Sequence, residues 1–264
     1  MLRDVFKRLK EEGKKAFIPY ITAGDPNLEK TYEIMKRFSD WGADLIELGV
    51  PFSDPMADGP TIQRAMERAL KGGTNLCQIF QLVKEFRKHR ETPIILMGYM
   101  NPFFSYGFHK LVGEAKESGV DGILCVDLPP EEAKEFYISA KEKGVELIFL
   151  ISPLTDRQRL MKIRKYASGF LYFVSVTGVT GERENIPTDV KEMLKVARAV
   201  TRMPVVLGFG ISGDGTIKDF FECADGFVVG SALIRRLEEV SFDVYSEGFR
   251  SFFSQLEKAC HKTN

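Results

Sequence analysis

The sequence predicts an α/β protein, a single-domain (β/α)8 TIM barrel with an extra helix at its N-terminus. Three observations support this fold. Eight short apolar runs alternate with segments of helical periodicity, and strands separated by helices pair in parallel through right-handed crossovers. The length of 264 residues matches the roughly 250 residues typical of such barrels. No Pro-, Gly- or Ser-rich linker divides residues 1–264, which predicts one domain.

The predicted elements follow one another in a regular strand and helix order. The strands are expected at residues 16–22, 45–49, 93–98, 122–126, 146–151, 170–175, 204–208 and 226–229. Helices are expected over 28–38, over 75–90 with Thr74 as N-cap, and over 131–143, where Gly144 ends the helix. At the N-terminus, apolar residues recur with helical i, i+3, i+4 and i+7 spacing at Leu2, Val5, Phe6 and Leu9.

A doubly wound open sheet is the alternative fold for alternating strands and helices. Its dinucleotide-binding signature, G-x-G-x-x-G, belongs directly after the first strand. The matching pattern in this chain covers residues 208–213, after the seventh predicted strand. The barrel is therefore the favoured prediction.

The composition excludes several classes of partner. The chain has 37 basic residues (Lys and Arg) and 37 acidic residues (Asp and Glu), so its formal net charge is zero. No net positive charge would therefore attract it to nucleic acid or to an anionic membrane. The longest uncharged run, residues 92–109, is interrupted by Pro and Gly and predicts a strand and a loop, not a membrane span. The four cysteines form no CxxC pair, which predicts reduced core thiols in a cytoplasmic protein.

Glu47 breaks the apolar pattern of the second predicted strand. Alternation places Glu47 on the face opposite Ile46 and Leu48, so its carboxyl should point into the barrel near the C-terminal end of the strand. Burial raises the pKa of an unpaired carboxyl, which suits a group that must both hold and release a proton. A structural Glu paired with a Lys or Arg is the alternative.

The segment after this strand contains two further carboxylates. Asp58 precedes Gly59-Pro60 and the start of a predicted helix, where a capping or turn role is the ordinary interpretation. Its place just beyond Glu47 also allows a pair of carboxyl groups at the barrel mouth, one protonated and one ionised. Such a pair predicts acid–base chemistry.

Glycines after the seventh and eighth strands predict a phosphate cradle. Residues 208–212 follow strand seven, and Gly230-Ser231 follow strand eight and begin a short helix. These two loops and a helix N-terminus are the usual phosphate site of such barrels, although ordinary glycine turns are the alternative. The glycine-containing residues 177–181 can add a third wall.

The residues that two kinds of aldolase require are not found at the predicted strand ends. The three histidines, His89, His109 and His261, fall in helical or terminal patterns and are expected at the surface, which excludes the His cluster of a zinc aldolase. No Lys stands at the end of a predicted strand, which weighs against a Schiff base. Carboxylate chemistry on a phosphorylated small molecule remains.

These motifs closely resemble the tryptophan synthase alpha chain family. The matching stretches, in family order, are residues 17–26, 47–63, 175–181, 208–212 and 230–232. The resemblance implies retro-aldol cleavage of indole-3-glycerol phosphate to indole and glyceraldehyde 3-phosphate. It also implies that Glu47 is the general acid/base, that Asp58 accepts the indole N–H, and that Tyr172 lies near this pair.

The resemblance assigns the remaining site residues as well. Gly181, Gly210, Gly230 and Ser231 match backbone ligands of the phosphate, and Tyr20 stands where some family members have a Phe that lines the indole pocket. No metal is implied. The alpha chain is expected to need no cofactor, because pyridoxal phosphate belongs to the partner beta chain of an alpha2-beta2 complex.

Regulation by that partner is a further expectation. Two loops, residues 53–59 and residues 177–184, should cross the barrel mouth, and neither should hold a closed conformation without a ligand or partner. In the first loop, Asp54, Pro55 and Met56 are expected to face the partner. The free chain would then be a weak enzyme. Two alternatives stay open: a phosphate-binding barrel enzyme that acts on a phosphorylated sugar, and a non-catalytic allosteric barrel subunit.

Overall fold

Eight parallel strands close into a barrel. They are β1 (Ala16–Thr22), β2 (Ile46–Gly49), β3 (Ile94–Gly98), β4 (Gly122–Cys125), β5 (Glu146–Ile151), β6 (Leu171–Phe173), β7 (Val205–Leu207) and β8 (Gly226–Val229). Each strand pairs with the next, and β8 pairs with β1. This computed structural model describes residues 2–174, 188–208 and 210–262. The predicted fold class is confirmed.

Helices connect the strands on the outside of the barrel. They are α1 (Leu2–Glu11), α2 (Leu28–Asp40), α3 (Pro60–Lys71), α4 (Leu76–Arg87), α5 (Met100–Tyr106), α6 (Phe108–Ser118), α7 (Lys134–Lys143), α8 (Arg157–Ile163), α9 (Thr188–Thr201), α10 (Asp214–Phe220), α11 (Ser231–Glu239) and α12 (Glu247–His261). Within the described residues, no helix is long and apolar enough to span a membrane.

Two predicted helix starts are wrong. Asn75, not Thr74, is the N-cap of α4, because its side chain accepts from the Gln78 N–H while the Gln78 side chain accepts from the Asn75 N–H. Thr74 is buried and packs against Gly24. Helix α7 begins at Lys134 instead of residue 131, because the residues after Pro130 form turns. Its predicted end is right, since Gly144 adopts a left-handed conformation.

The side chains of the strands alternate between two apolar layers. Ile46 and Leu48 belong to the layer between strands and helices, whereas Leu45 belongs to the barrel interior. Helix α1 closes the N-terminal end of the barrel by burying one face, and its Phe6 ring lies 5.4 Å from that of Phe170. With this end plugged, the open end of the barrel is the C-terminal one, where the loops carry the candidate site.

The cysteine prediction is only partly right. Cys125, Cys223 and Cys260 are buried, but Cys77 is exposed on α4, because it occupies a position on the outer face of that helix. All four thiols are free.

Candidate active site

Glu47 lies inside the barrel, as the alternation of β2 predicts. It is 1% exposed and stands beside Tyr20 of β1 in the strand register. Its Oε2 accepts from the Tyr172 hydroxyl at 3.4 Å, and its Oε1 is buried with no hydrogen-bond partner in the described part of the chain. Among the described residues, the groups that shift the pKa of Glu47 include no Lys or Arg, which argues against the alternative of a structural Glu in an ion pair.

The environment of Glu47 favours its protonated form. Burial raises the pKa of Glu47 to about 8, and the negative charge of Asp58 acts in the same direction, while the Tyr172 hydroxyl opposes both. The carboxyl therefore holds its proton at neutral pH. A neutral acid with one unsatisfied oxygen is poised to donate to, or accept from, a group placed in the barrel mouth.

Two tyrosines flank this carboxyl. The Tyr172 hydroxyl lies within hydrogen-bond reach of both Glu47 Oε2 and the Gly208 carbonyl, at 3.4 Å and 3.2 Å. Tyr20 is 2% exposed, and its hydroxyl lies 3.2 Å from Thr22 Oγ1. Burial raises the pKa of both phenols well above the ordinary value, so both hydroxyls stay protonated and uncharged.

Asp58 is held by a tyrosine that the sequence analysis missed. The Tyr99 hydroxyl, at the end of β3, donates to Asp58 Oδ2 at 2.6 Å and accepts from the Ala57 N–H at 3.2 Å. Burial raises the pKa of Asp58, and the bond from Tyr99 counteracts this. Asp58 therefore lies at the mouth as predicted, close enough for its charge to act on Glu47.

The rest of the 53–59 loop faces outward. Asp54 is exposed, Pro55 is half-buried, and Met56 is 93% exposed, which is unusual for a large apolar side chain. Phe52 packs on the Tyr99 ring with centroids 5.3 Å apart, so the same tyrosine supports both ends of the loop. The three predicted partner residues thus form an exposed surface beside Asp58.

The phosphate-cradle residues lie at the ends of β7 and β8. Gly230 caps α11 without a side-chain bond, and Ser231 is the first residue of that helix, so the N–H groups of the first turn are available to an anion. Gly210 has a φ of 72°, which favours glycine, and a Cβ there would have no described atom within 4 Å. Gly181 and the 177–184 loop lie outside the described residues.

The histidine prediction is wrong for one residue. His89 and His109 are exposed, but the His261 side chain is 11% exposed and lies between two carboxylates, Asp44 and Glu257. Asp44 is distant from His261 in sequence, so no local sequence pattern predicts the contact between them. Within the described residues, no cluster of His, Cys, Asp and Glu could hold a metal ion.

The fold and the site together define a class, the (β/α)8-barrel enzymes that carry a carboxyl pair at the C-terminal strand ends. Within this class the chain belongs to the tryptophan synthase alpha chain family, whose model matches residues 6–262. Members of this family are lyases that cleave indole-3-glycerol phosphate; they carry no cofactor, and pyridoxal phosphate resides in the beta chain.

Several relatives show the extent of the similarity. The tryptophan synthase alpha chain of Geotalea uraniireducens is 49% identical over 252 residues, 96% of this chain and 94% of the relative. The crystal structure of the Legionella pneumophila alpha subunit has a TM-score of 0.91 at 38% identity and covers 99% of this chain and 98% of that one.

A structure of the a2b2 complex from Pyrococcus furiosus also matches. Its matching chain has a TM-score of 0.85 at 44% identity and covers 92% of this chain and 98% of that one. The family, the fold and the reaction named above thus agree with the expectations from the motifs.

Proposed function

We propose that this chain cleaves indole-3-glycerol phosphate, with Glu47 as the general acid/base and Asp58 as the acceptor of the indole N–H. One observation carries the proposal: the pKa of Glu47 is raised to about 8 by burial, inside a barrel mouth that also holds Asp58. Two carboxyl groups with different surroundings can hold different protonation states in one site.

The first step is a tautomerisation of the indole ring. Protonated Glu47 gives its proton to indole C3, and Asp58 accepts the proton of the indole N–H as the C2=N bond forms. Tyr99 keeps the Asp58 oxygen oriented through its bond of 2.6 Å. Tyr172 donates to the new carboxylate of Glu47 and stabilises its charge.

The second step breaks the carbon–carbon bond. Glu47, now a carboxylate, removes the proton from the side-chain hydroxyl next to C3, and a carbonyl forms as the bond to C3 breaks. The electron pair moves through the ring to nitrogen, which takes its proton back from Asp58. Both carboxyl groups return to their starting states, and the products are indole and glyceraldehyde 3-phosphate.

The phosphate of the substrate would be held at the other side of the mouth. Gly210, Gly230 and Ser231 offer backbone N–H groups and the N-terminus of α11, and Gly181 completes this set in the proposal. Tyr20, which packs beside Gly49 and Gly230, would line the indole pocket between the two ends.

A partner and a location complete the proposal. By similarity to the Pyrococcus furiosus complex, the exposed surface of Asp54, Pro55 and Met56 would bind a beta chain. Residues 1–264 would act as one domain in the cytoplasm.

The experiment is an indole-release assay with wild-type protein and Glu47→Gln. We expect the variant to bind substrate and to lose about 10²- to 10⁴-fold in rate, or roughly 3–5 kcal/mol, because the amide cannot transfer the proton. Near-normal turnover by the variant would remove Glu47 from the mechanism. Wild-type protein that releases no indole but isomerises a phosphorylated sugar would support the alternative enzyme class.

A further inference from the structure

The guanidinium group of Arg68 joins two carboxylates that belong to separate parts of the barrel mouth. Arg68 lies on α3 and binds Asp25 with both branches, Nε to Oδ1 at 2.6 Å and a terminal nitrogen to Oδ2 at 2.9 Å. Its other terminal nitrogen lies 2.7 Å from Glu238 Oε1 on α11. One side chain thus connects α3, α11 and the loop after β1.

The Asp25 end of this connection is buried. The Asp25 side chain is 3% exposed, and its backbone N–H donates to the Thr22 carbonyl at 3.2 Å. Burial raises the pKa of Asp25, and the bonds from Arg68 oppose that shift, so Arg68 stabilises the charged form of this buried carboxyl. A bidentate pair of this kind fixes the plane of the guanidinium as well as its position.

The Glu238 end connects the two helices. Glu238 lies in the last turn of α11, and its second oxygen is 3.5 Å from a terminal nitrogen of Arg64, one turn before Arg68 on α3. The Phe242 ring lies against the Arg68 guanidinium with its centroid 5.5 Å away. Two arginines of α3 therefore hold a single carboxylate of α11.

Each of these helices carries one end of the candidate site. Helix α3 begins two residues after Asp58, with Gly59 as its N-cap, and the Gln63 side chain on its first turn donates to the Asp58 carbonyl at 2.8 Å. Helix α11 begins at Ser231, where the phosphate cradle is proposed. A displacement of α3 relative to α11 would therefore change the distance between Asp58 and the cradle.

We propose that Arg68, through Glu238, is a positioning residue that sets the distance between Asp58 and the phosphate cradle. This inference rests on the proposed function, because it assumes a substrate that reaches from one end of the mouth to the other. The cradle lies at the first turn of α11, whereas Glu238 lies in the last turn of that helix. Loss of the connection should leave phosphate binding intact and misplace Asp58 relative to the indole ring.

The test compares two neighbouring glutamates of α11. Glu238→Ala removes the connection to α3, whereas Glu239→Ala removes an exposed pair with Arg236 inside α11 and serves as the matched control. We expect Glu238→Ala to lower kcat for indole release about tenfold, because a misplacement of about 1 Å costs up to roughly 10²-fold. Its dissociation constant for glycerol 3-phosphate should equal that of wild type. Glu239→Ala should match wild type in both measurements.

A second variant separates positioning from general stability. Arg68→Lys keeps a positive charge beside Asp25 but lacks the fork that reaches Glu238 at the same time, so we expect a similar fall in kcat. The double variant Arg68→Lys/Glu238→Ala should lose no more activity than either single variant, because both remove the same connection. Multiplicative losses, or a lower melting temperature with unchanged kcat, would overturn the positioning role.

Indole release and glycerol 3-phosphate binding by the wild-type protein separate the function of the chain from the positioning role of Arg68. Wild-type protein that neither releases indole nor binds glycerol 3-phosphate would overturn the function, and the positioning role with it. Wild-type protein that does both, with Glu238→Ala equal to it in kcat, would overturn the positioning role alone. An equal loss of kcat and of glycerol 3-phosphate binding in Glu238→Ala would show that Glu238 supports the cradle instead.

Discussion

At the residue scale, the burial of Glu47 has a consequence for stability as well as for catalysis. An exposed carboxyl in the unfolded chain loses its proton near the ordinary pKa of 4.5, whereas the folded chain holds that proton up to about pH 8. Between these values the folded state binds more protons than the unfolded state, so the free energy of unfolding falls as the pH rises. Protonated Glu47 is therefore the form that the fold tolerates best.

We expect Glu47→Gln to be more stable than wild type at high pH. The neutral amide does not titrate, so the difference in free energy of unfolding should grow from pH 5 to pH 8 and reach on the order of 3 kcal/mol. Urea unfolding at several pH values measures this difference. Glu146→Gln, at the start of β5, is a control that leaves the mouth intact. A constant difference across the pH range would mean that Glu47 does not titrate as proposed.

The role of Tyr99 could not be predicted from the sequence. Glu47 and Asp58 stand out because a carboxyl interrupts an apolar run or lies just beyond one. Tyr99 directly follows the apolar strand β3, where an aromatic residue is ordinary, and its hydrogen bond to Asp58 spans 41 positions of the chain. Chemical type and periodicity identified the carboxylates, but they do not reveal a tertiary partner of ordinary type.

At the element scale, the strands were easier to predict than the helix starts. The bounds of β1, β5 and β8 agree with the prediction because turn residues delimit their apolar runs. The start of α4 depended on a choice between Thr74 and Asn75, two good capping residues. Packing decided it, since Gly24 covers Thr74. Local preference therefore located the helix and tertiary contact fixed its first residue.

Gly208 and Gly210, which follow β7, require glycine for different reasons. A Cβ on Gly208 would lie 2.0 Å from the Tyr172 ring, so that glycine makes room for the tyrosine beside Glu47. Gly210 has open space around it in the described part of the chain but a φ of 72°. Its backbone conformation requires glycine, and in our proposal the approach of the substrate phosphate requires it as well.

We expect Gly210→Val to weaken binding of glycerol 3-phosphate about tenfold or more, while indole binds almost as before. The branched side chain strains the left-handed backbone and blocks close approach of the phosphate. Calorimetric titration with each ligand measures the effect, and Gly215→Ala, at an open position of α10, is the control. Equal losses for both ligands would mean that Gly210 shapes the fold instead of the cradle.

Helix α12 is attached to the barrel by a histidine between two acids. The His261 Nε2 lies 2.8 Å from Asp44 and its Nδ1 lies 2.6 Å from Glu257, so both nitrogens donate only when the ring is protonated. Asp44 also accepts from the Phe17 N–H and from Arg8. Burial lowers the pKa of His261, but the two carboxylates outweigh burial and raise it above 6.5.

We expect His261→Ala to lower the free energy of unfolding by about 2 kcal/mol at pH 6, because two charge-assisted hydrogen bonds are lost. The folded-state pKa is raised, so this contribution is complete below pH 6.5 and is lost as the pH rises through the folded-state value. Urea unfolding at pH 6 and pH 9 measures the change, and exposed His89→Ala is the control. An equal effect at both pH values would contradict the protonated ring.

At the scale of the whole molecule, three of the most exposed large apolar side chains follow strands of the barrel. Met56 follows β2, Phe104 lies on α5 after β3, and Leu154 follows β5, and they are 93%, 68% and 82% exposed. Because all strands are parallel, the segments after them share one end of the barrel. These three side chains, which we call the apolar rim, therefore lie at the end of the barrel that carries the Asp58 loop, and a protein bound to Met56 would also restrict that loop.

The final prediction is that substrate phosphate and partner strengthen each other's binding. We propose that closure of the 53–59 loop positions Asp58 on the substrate and that both ligands favour the closed state. Linkage then requires that each ligand tighten binding of the other by the same factor. We expect glycerol 3-phosphate to tighten binding of a beta chain about five- to tenfold, and the beta chain to raise the rate of indole release. Met56→Ala should weaken beta-chain binding, whereas Ile138→Ala, on α7 outside the rim, should not. Unchanged affinity with the phosphate compound, together with an unchanged rate, would rule out this coupling.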